Sequence, residues 1–394
     1  MKRPNRHFLA LNSLHIFNDG FQASLVLLLP FIAVGQHFSL AKIGSLGTIV
    51  NIAGIALALP AGYIATKLGG LKTLLLALFI YAVGFFGAGV FTEYYALAAM
   101  FLLAGVGFGV FHPIAFGLIA KWTPKARRGR TIGNFTAIGD IGRIGISAAA
   151  SFIAVGIGWQ QTAMLYAAGA ILLGLGATRF LRGRDAIEIK DHQPTAMTLW
   201  QIVRNRRLLL AFAAAALDSF ASASLYIFLP FLLLKRGIDP ALLGTFTAAF
   251  FAGNFFGKTL LGRLVDRLGN ATVFIVADAL MALFIFVLAT ATAAWLIIAC
   301  SIVLGIFTKG TVPVLQTMMA EAVEHHGNYE KTFGLGALIT GVAIAVAPIV
   351  LGIVSDHSGI VTAFTIMAAT ALLAVVPGVV YALIRTPKTP QEES

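Results

Sequence analysis

One cysteine, Cys300, stands in the whole chain, so no internal disulfide is possible, and its apolar neighbours make it a packing residue. Charge is the next shortage. Lys, Arg, Asp and Glu make up 11% of the 394 residues, against about a quarter in ordinary soluble domains, while 59% are apolar. That much hydrophobic sequence exceeds what a soluble core of this length buries, which excludes a soluble globule. Also missing are the segments of about ten residues with alternating polarity that build membrane barrels, so strands are excluded as the spanning element. No G-x-x-x-x-G-K-[ST] occurs, which argues against ATP as a direct energy source. With no set of nucleophile and base and no cluster of metal ligands in the pattern, the chain does not read as an enzyme, and neither a cofactor nor a metal is expected.

Apolar runs of about 20 residues fill the chain instead, each long enough to cross a hydrocarbon core of roughly 30 Å as a helix. Twelve are predicted, at 8–34, 40–65, 72–91, 94–120, 131–156, 160–181, 206–234, 240–263, 271–291, 294–320, 331–354 and 359–385. The fold class expected is therefore an all-α polytopic membrane protein. The net charge of +12 does not require a nucleic-acid partner, because Lys and Arg gather in alternate loops and at the ends, while the intervening loops hold only Lys42, Lys235 and Arg236. This positive-inside bias puts both termini in the cytoplasm and the multi-pass chain in the cell inner membrane. "MKRPNRH" has the charge of a signal-peptide n-region, but the run after it is too long and lacks a cleavage site, so it stays as the first helix.

The break "RGRDAIEIKDHQPTAMTLWQIVRNRR", 182–207, is the longest polar segment and divides the runs six and six. It predicts an N-terminal six-helix half over 1–182, a cytoplasmic linker over 183–205 and a C-terminal six-helix half over 206–394. A shift of 200 residues lays "ASLVLLLPF" (23–31) on "ASLYIFLPF" (223–231), Gly44 on Gly244, and "GYIATKLGG" (62–70) on "GRLVDRLGN" (262–270). The halves are thus pseudo-symmetric parallel repeats, an arrangement that puts a substrate site between them near the midplane.

The stretch Gly262-Arg263-Leu264-Val265-Asp266-Arg267-Leu268-Gly269 resembles the G-x-L-x-D-R-x-G loop signature of the major facilitator superfamily, in its expected place between helices 8 and 9. The two-half, twelve-helix plan carries that resemblance over the whole chain. In the family the signature's carboxylate helps latch the cytoplasmic gate. The N-terminal copy has Thr66 where Asp is usual, with Lys67 for Arg, so the resemblance implies a lopsided latch resting on Asp266 and Arg267. "HIFNDGFQ" (15–22) and "GVGFGVFHP" (105–113) are further similar to helix-1 and helix-4 runs of fosmidomycin-resistance-type exporters. "GDIGRIGISAAAS" (139–151) lacks the helix-5 proline associated with export, which leaves uptake by symport open.

Polar groups inside the apolar runs mark a solute or ion path by default. Asp19 lies near the centre of helix 1, one turn from His15, with Asn18 and Gln22 beside it; Arg143 lies in helix 5, Asp218 in helix 7 and Lys309 in helix 10. Asp19, Asp218 and His15 are the candidates for proton coupling. Asp19 also suits an inert pair with Arg143, and Asp218 a pair with Lys309 or Lys258. Arg143 is the candidate solute anchor, because its planar fork suits a carboxylate or phosphonate, with Asp140 one turn earlier as co-ligand or mere counter-charge. Lys309, Asn18, Gln22 and His112 complete the expected solute site, His112 serving either as a hydrogen-bonding residue beside Pro113 or in proton transfer. Lys258 and Asp278 are expected to pair with each other. Gly133, Gly139, Gly142 and Gly145 read as close helix contacts.

The expected function is proton-coupled efflux of a small polar or anionic solute or drug by alternating access, in a monomer whose partners are the solute, protons and lipid. Proton-coupled uptake of an organic anion is the rival within transport, and a non-transporting receptor or scaffold the rival outside it.

Overall fold

The protein is described by a computed structural model covering residues 6–124, 128–181, 204–323 and 329–384. Among these residues every regular element is helical, as a lipid-embedded chain requires when no water is available to its peptide groups. The first span is α1a (Arg6–Leu27) continued by α1b (Leu29–Gln36); then come α2 (Leu40–Leu68), α3 (Gly70–Val90), α4 (Tyr94–Trp122), α5 (Arg128–Ile157) and α6 (Trp159–Leu181). The second half repeats the plan with α7a (Arg206–Ala223), α7b (Leu225–Lys235), α8 (Leu243–Leu268), α9 (Asn270–Thr290), α10 (Ala294–Ala322), α11 (Tyr329–Ser358) and α12 (Ile360–Leu383). Eleven of the twelve spans are long and apolar enough to cross a membrane on those grounds alone. The other, α8, is diluted by Lys258, Arg263, Asp266 and Arg267.

The duplication seen in the sequence recurs in the backbone. Gly69 and Gly269, with φ of 86° and 79°, turn α2 into α3 and α8 into α9, while Gly158 and Gly359, at 90° and 85°, do the same after α5 and α11. Only glycine adopts that conformation without strain, so each turn closes in a single residue. The first and seventh spans are both interrupted, at Leu28 and Ser224, shortly before Pro30 and Pro230, which have no amide hydrogen to donate to the helix.

Apolar side chains also cover the outside: Phe79, Phe86, Leu172 and Trp295 are exposed, the surface a lipid solvent favours. Inside, the packing is uneven between the two ends of the bundle. On the side away from the chain ends, here the far side, one apolar core runs through both halves and includes Leu25, Val50, Phe85, Phe228, Leu243 and Phe364. On the side of the chain ends, the terminal side, the core divides. Leu14, Leu74 and Phe111 belong to a cluster made by the first half alone, and Phe212, Phe274 and Met318 to one made by the second. The halves therefore meet on the far side and part on the terminal side.

Far-side closure has a polar component. Asp356, near the end of α11, accepts from the backbone amides of Leu40 and Ala41 at 2.7 and 2.8 Å, capping the start of α2 in the other half. The pseudo-symmetric junction is held by Ser151 of α5, which donates to the Ala241 carbonyl at 2.8 Å and accepts from the Gly244 amide at 3.0 Å. Below these caps Thr48 and Asn51 of α2 donate to the Ala345 and Ile344 carbonyls of α11.

Candidate functional site

The site is built where α1a lies against α5. Gly20 and Gly142 permit that approach, since a Cβ on Gly142 would strike the Ile16 backbone and one on Gly20 the Ile146 side chain. Gly139 leaves room for the His15 ring and the Asp19 carboxylate. Gly145, predicted as a contact, has no neighbouring atom within 4 Å, because it lies on another face of α5. The surroundings of Gly133 lie outside the described residues.

Asp19 is 2% exposed and four groups converge on it. Arg143 bonds Oδ2 at 2.9 Å, the His15 Nε2 lies 3.2 Å from Oδ2, the His112 Nε2 lies 3.2 Å from Oδ1, and the Asn18 amide donates to Oδ1 at 3.2 Å. Arg143 then turns its other terminal nitrogen to Asp140 at 2.9 Å, and the second oxygen of Asp140 takes Lys258 at 2.6 Å. The result is an alternating chain, Asp19–Arg143–Asp140–Lys258, that crosses from the first half into the second. Charges this well buried hold together only when each is answered by another, and here each interior member has two partners.

This chain corrects the expected pairing of Lys258 with Asp278. Lys258 is committed to Asp140, and neither carboxylate oxygen of the fully buried Asp278 has a hydrogen-bond partner among the described residues. Asp218 is likewise not in an ion pair with Lys258 or Lys309; its bond comes from the Thr311 hydroxyl at 2.9 Å. Lys309 is exposed although it sits in mid-helix, within electrostatic reach of Arg143, Lys258, Asp140 and Asp218, and it makes no ion pair among the described residues.

Next to the charge chain is a cavity of about 310 Å³ between α1a, α2, α4 and α11, with Gln22, Asn51 and His112 as its polar lining and Phe108 and Ile344 among its apolar walls. Gln22 also donates to the Tyr226 hydroxyl of α7b at 3.1 Å, a further polar link between the halves. The larger groove of about 680 Å³ between α1a and α6 is lined by Leu9, Leu14, Leu172 and Leu173 and carries no titratable group, so it has no chemistry to offer a polar solute. Of the residues expected in the site, the structure places His15, Asn18, Asp19, Gln22, His112, Asp140 and Arg143 around the charge chain and the cavity beside it. The sequence reading missed Asn51, Tyr226 and Thr311, whose only signal was a polar atom in an apolar run.

The predicted gate residues lie at the terminal side. Asp266, Arg267 and Gly269 are exposed, no atom lies within 4 Å of a Cβ on Gly262, and neither Asp266 nor Arg267 makes an ion pair among the described residues. Lys67 lies over the Tyr63 ring at 4.6 Å. The Thr66 side chain falls outside the described residues.

Comparison with known proteins agrees with this architecture. The family model of the Major Facilitator Superfamily matches residues 11–232 and 211–394. A "Nitrite extrusion protein" of Bacillus subtilis (strain 168) is 27% identical over 311 residues, 78% of this chain and 74% of that protein. An "Uncharacterized MFS-type transporter YcaD" of Escherichia coli (strain K12 / DH10B) is 23% identical over 308 residues, 77% of each. Among solved structures, a bacterial homolog of the human lysosomal transporter Spinster in an inward-facing, occupied conformation superposes with a TM-score of 0.76 at 15% identity, covering 97% of each chain. The nucleoside transporter NupG superposes with a TM-score of 0.76 at 17% identity, covering 96% of this chain and 100% of that one. At these identities the structural likeness speaks for the fold.

Proposed function

The chain belongs to the major facilitator superfamily and is a membrane transporter rather than an enzyme; on that premise we propose that it exports a small polar or anionic solute in exchange for protons. The observation that carries the anionic reading is Lys309, an exposed mid-helix cation left without an ion pair beside a charge chain that is otherwise balanced. An exposed cation attracts one negative group, and the Arg143 guanidinium adds positive charge nearby while its two terminal nitrogens hold Asp19 and Asp140. The modest cavity lined by Gln22, Asn51 and His112 favours a solute no larger than a small metabolite or drug.

Topology gives the direction of access. With the basic loops on the cytoplasmic side of the inner membrane, the terminal side is cytoplasmic and the present conformation is inward-open. Solute enters from the cytoplasm, the halves rock, the terminal side closes through Asp266 and Arg267, and the caps at Asp356 and Ser151 release. Protonation at the Asp19 cluster couples return to the proton gradient. Nothing in this cycle needs a cofactor.

The test is a stability screen of the purified protein against small anions, nitrite included because one relative bears that name, followed by flux of the best hit in proteoliposomes with an imposed pH gradient. Export by exchange predicts solute moving against the proton flow. Movement of both in the same direction would establish the symport reading, which the unbroken, proline-free α5 favours. Stabilising solutes that never cross the bilayer would make the protein a receptor.

A further inference from the structure

The contacts around Asp19 contain an imbalance that only an added proton resolves. His15 is held rigidly: its ring is 1% exposed, stacked on Phe135 at 4.0 Å between centroids, and its Nδ1 lies 2.9 Å from the Phe135 carbonyl oxygen. A carbonyl oxygen only accepts, so Nδ1 carries the hydrogen and donates it. A neutral His15 then has a bare Nε2, and that lone pair faces the Asp19 Oδ2 at 3.2 Å and the His112 Nε2 at 3.2 Å. Even when the His112 Nε2–H serves one of these contacts, the other sets acceptor against acceptor at Oδ2 in a buried place. A second hydrogen on His15 turns the contact with Oδ2 into a charge-assisted hydrogen bond.

His112 is the way in. It is 24% exposed and lines the central cavity, whereas His15, Asn18 and Asp19 are sealed. Its Nε2 touches both the His15 Nε2 and the Asp19 Oδ1, and no described residue bonds its Nδ1. Asp19 itself is poorly placed to take the proton, because Arg143 already occupies Oδ2, and Asn18 with His112 occupies Oδ1. The other charged or titratable groups around the cluster are Tyr81 on α3, Asp140 on α5, and Tyr226, Lys258 and Lys309 across the interface.

We propose that the His15–His112 pair, and not the Asp19 carboxyl group, carries the coupling proton, with His112 passing it between the cavity and the sealed His15–Asp19 contact. This rests on the reading of the protein as proton-coupled. In the loading step a hydronium ion in the cavity gives its proton to the His112 Nδ1 and leaves as water, while the His112 Nε2–H passes to the His15 Nε2. One N–H bond forms and one breaks at His112, which stays neutral in its other tautomer, and His15 becomes the imidazolium. Its new N–H then serves both Asp19 Oδ2 and the freed lone pair of His112, while Asn18 keeps Oδ1. Unloading is the reverse. Asp19 and Arg143 act as positioning residues.

His15, Asp19 and His112 also have the spacing of a metal site, their ligand atoms lying within 4.8 Å of one another. The proton fits better. The guanidinium at Oδ2 already occupies the carboxylate, and a divalent ion would add two positive charges to a chain of two carboxylates and two cations that is already neutral.

The experiment is infrared difference spectroscopy of the purified full-length protein through a pH ramp of about 5 to 8, with histidine or aspartate carrying an isotope label so that the responding residue type is read without a mutation. The expected result is imidazole ring bands that move with the histidine label, lost in His15→Gln and developing at least ~100-fold more slowly after a pH jump in His112→Gln. A carboxylic acid band that moves with the aspartate label and vanishes in Asp19→Asn would overturn the proposal. So would a stoichiometric metal found by elemental analysis and displacing the proton signal. Gradient-driven flux that persists without the histidine signal would leave proton coupling standing and refute this site. A histidine signal in a protein whose flux ignores the pH gradient would instead refute proton coupling.

Discussion

Arg143 holds two carboxylates with two nitrogens, Asp19 on one and Asp140 on the other, and that geometry rather than its charge alone makes it irreplaceable. Lysine has one nitrogen on a flexible stem and serves only one of the two well. Arg143→Lys should therefore cost about 2 kcal/mol of stability, the worth of one charge-assisted hydrogen bond, and weaken binding of an anionic solute by about tenfold or more. Thermal unfolding in detergent and a solute titration on the same preparation read the two effects. If Arg143→Lys binds as tightly as the wild type while losing stability, Arg143 is a strut of the charge chain and not a solute ligand. The members of this cluster were visible in the sequence because each is a polar residue where hydrocarbon should be. The partner of Lys258 was not: it lies 118 positions away in the other half, and no periodicity links the two.

Helix packing supplies the second scale. The crossing of α1a over α5 is a contact of backbone on backbone, and the sequence marked it with glycines at roughly one-turn spacing without telling which of them face the neighbour. Gly142→Ala should lower stability by about 1–3 kcal/mol, because the new methyl meets the Ile16 backbone and that helix must move. Gly145→Ala, on a face with no atom within 4 Å, should be neutral or slightly stabilising, as alanine is the better helix former. Equal effects at both positions would mean the crossing is looser than the packing indicates. The twelve spans themselves were legible to within a few residues, eleven from length and hydropathy and α8 from its place in the repeat as well. The interruptions at Leu28 and Ser224 were not, although Pro30 and Pro230 stand close by in both repeats.

At the scale of the whole molecule, two sets of contacts oppose each other. Asp356 caps α2 only while the far side is closed, so Asp356→Asn should weaken that closure by about 1 kcal/mol, the worth of a capping carboxylate. Asp266 makes no ion pair among the described residues in the present conformation, so Asp266→Asn should leave this state unaltered, weaken the opposite one and enrich terminal-side opening. Thr66→Asp, which completes the first-half signature, should shift the balance the other way by about 1 kcal/mol. Spin-label distances across each end of the bundle measure all three populations. If Asp356→Asn leaves the far-side distance distribution unchanged, closure there rests on apolar packing alone. The sequence disclosed the terminal-side signature because it is a motif; the far-side cap is one aspartate meeting a helix start some 315 residues earlier, a relation that exists only in three dimensions.

The alternating chain through Asp19, Arg143, Asp140 and Lys258 also has an electrical meaning. Moving one unpaired charge across a membrane held at about 100 mV changes its energy by roughly 2.3 kcal/mol, enough to bias any conformational equilibrium strongly. Two carboxylates and two cations bound in sequence sum to zero, so this cluster gives the empty carrier almost no handle for voltage when the halves rock. On the proposed reading, current then belongs to the cargo: each turnover would displace the charge of the solute plus that of the proton on the histidines, and nothing else from this site. On a solid-supported membrane, the protein without solute and at symmetric pH should give at most the small capacitive transient of the unpaired Lys309, lost in Lys309→Gln, and addition of a driven solute should raise a larger one. A transient that persists in the empty Lys309→Gln protein would mean that the chain comes apart during rocking and carries its own charge across the field.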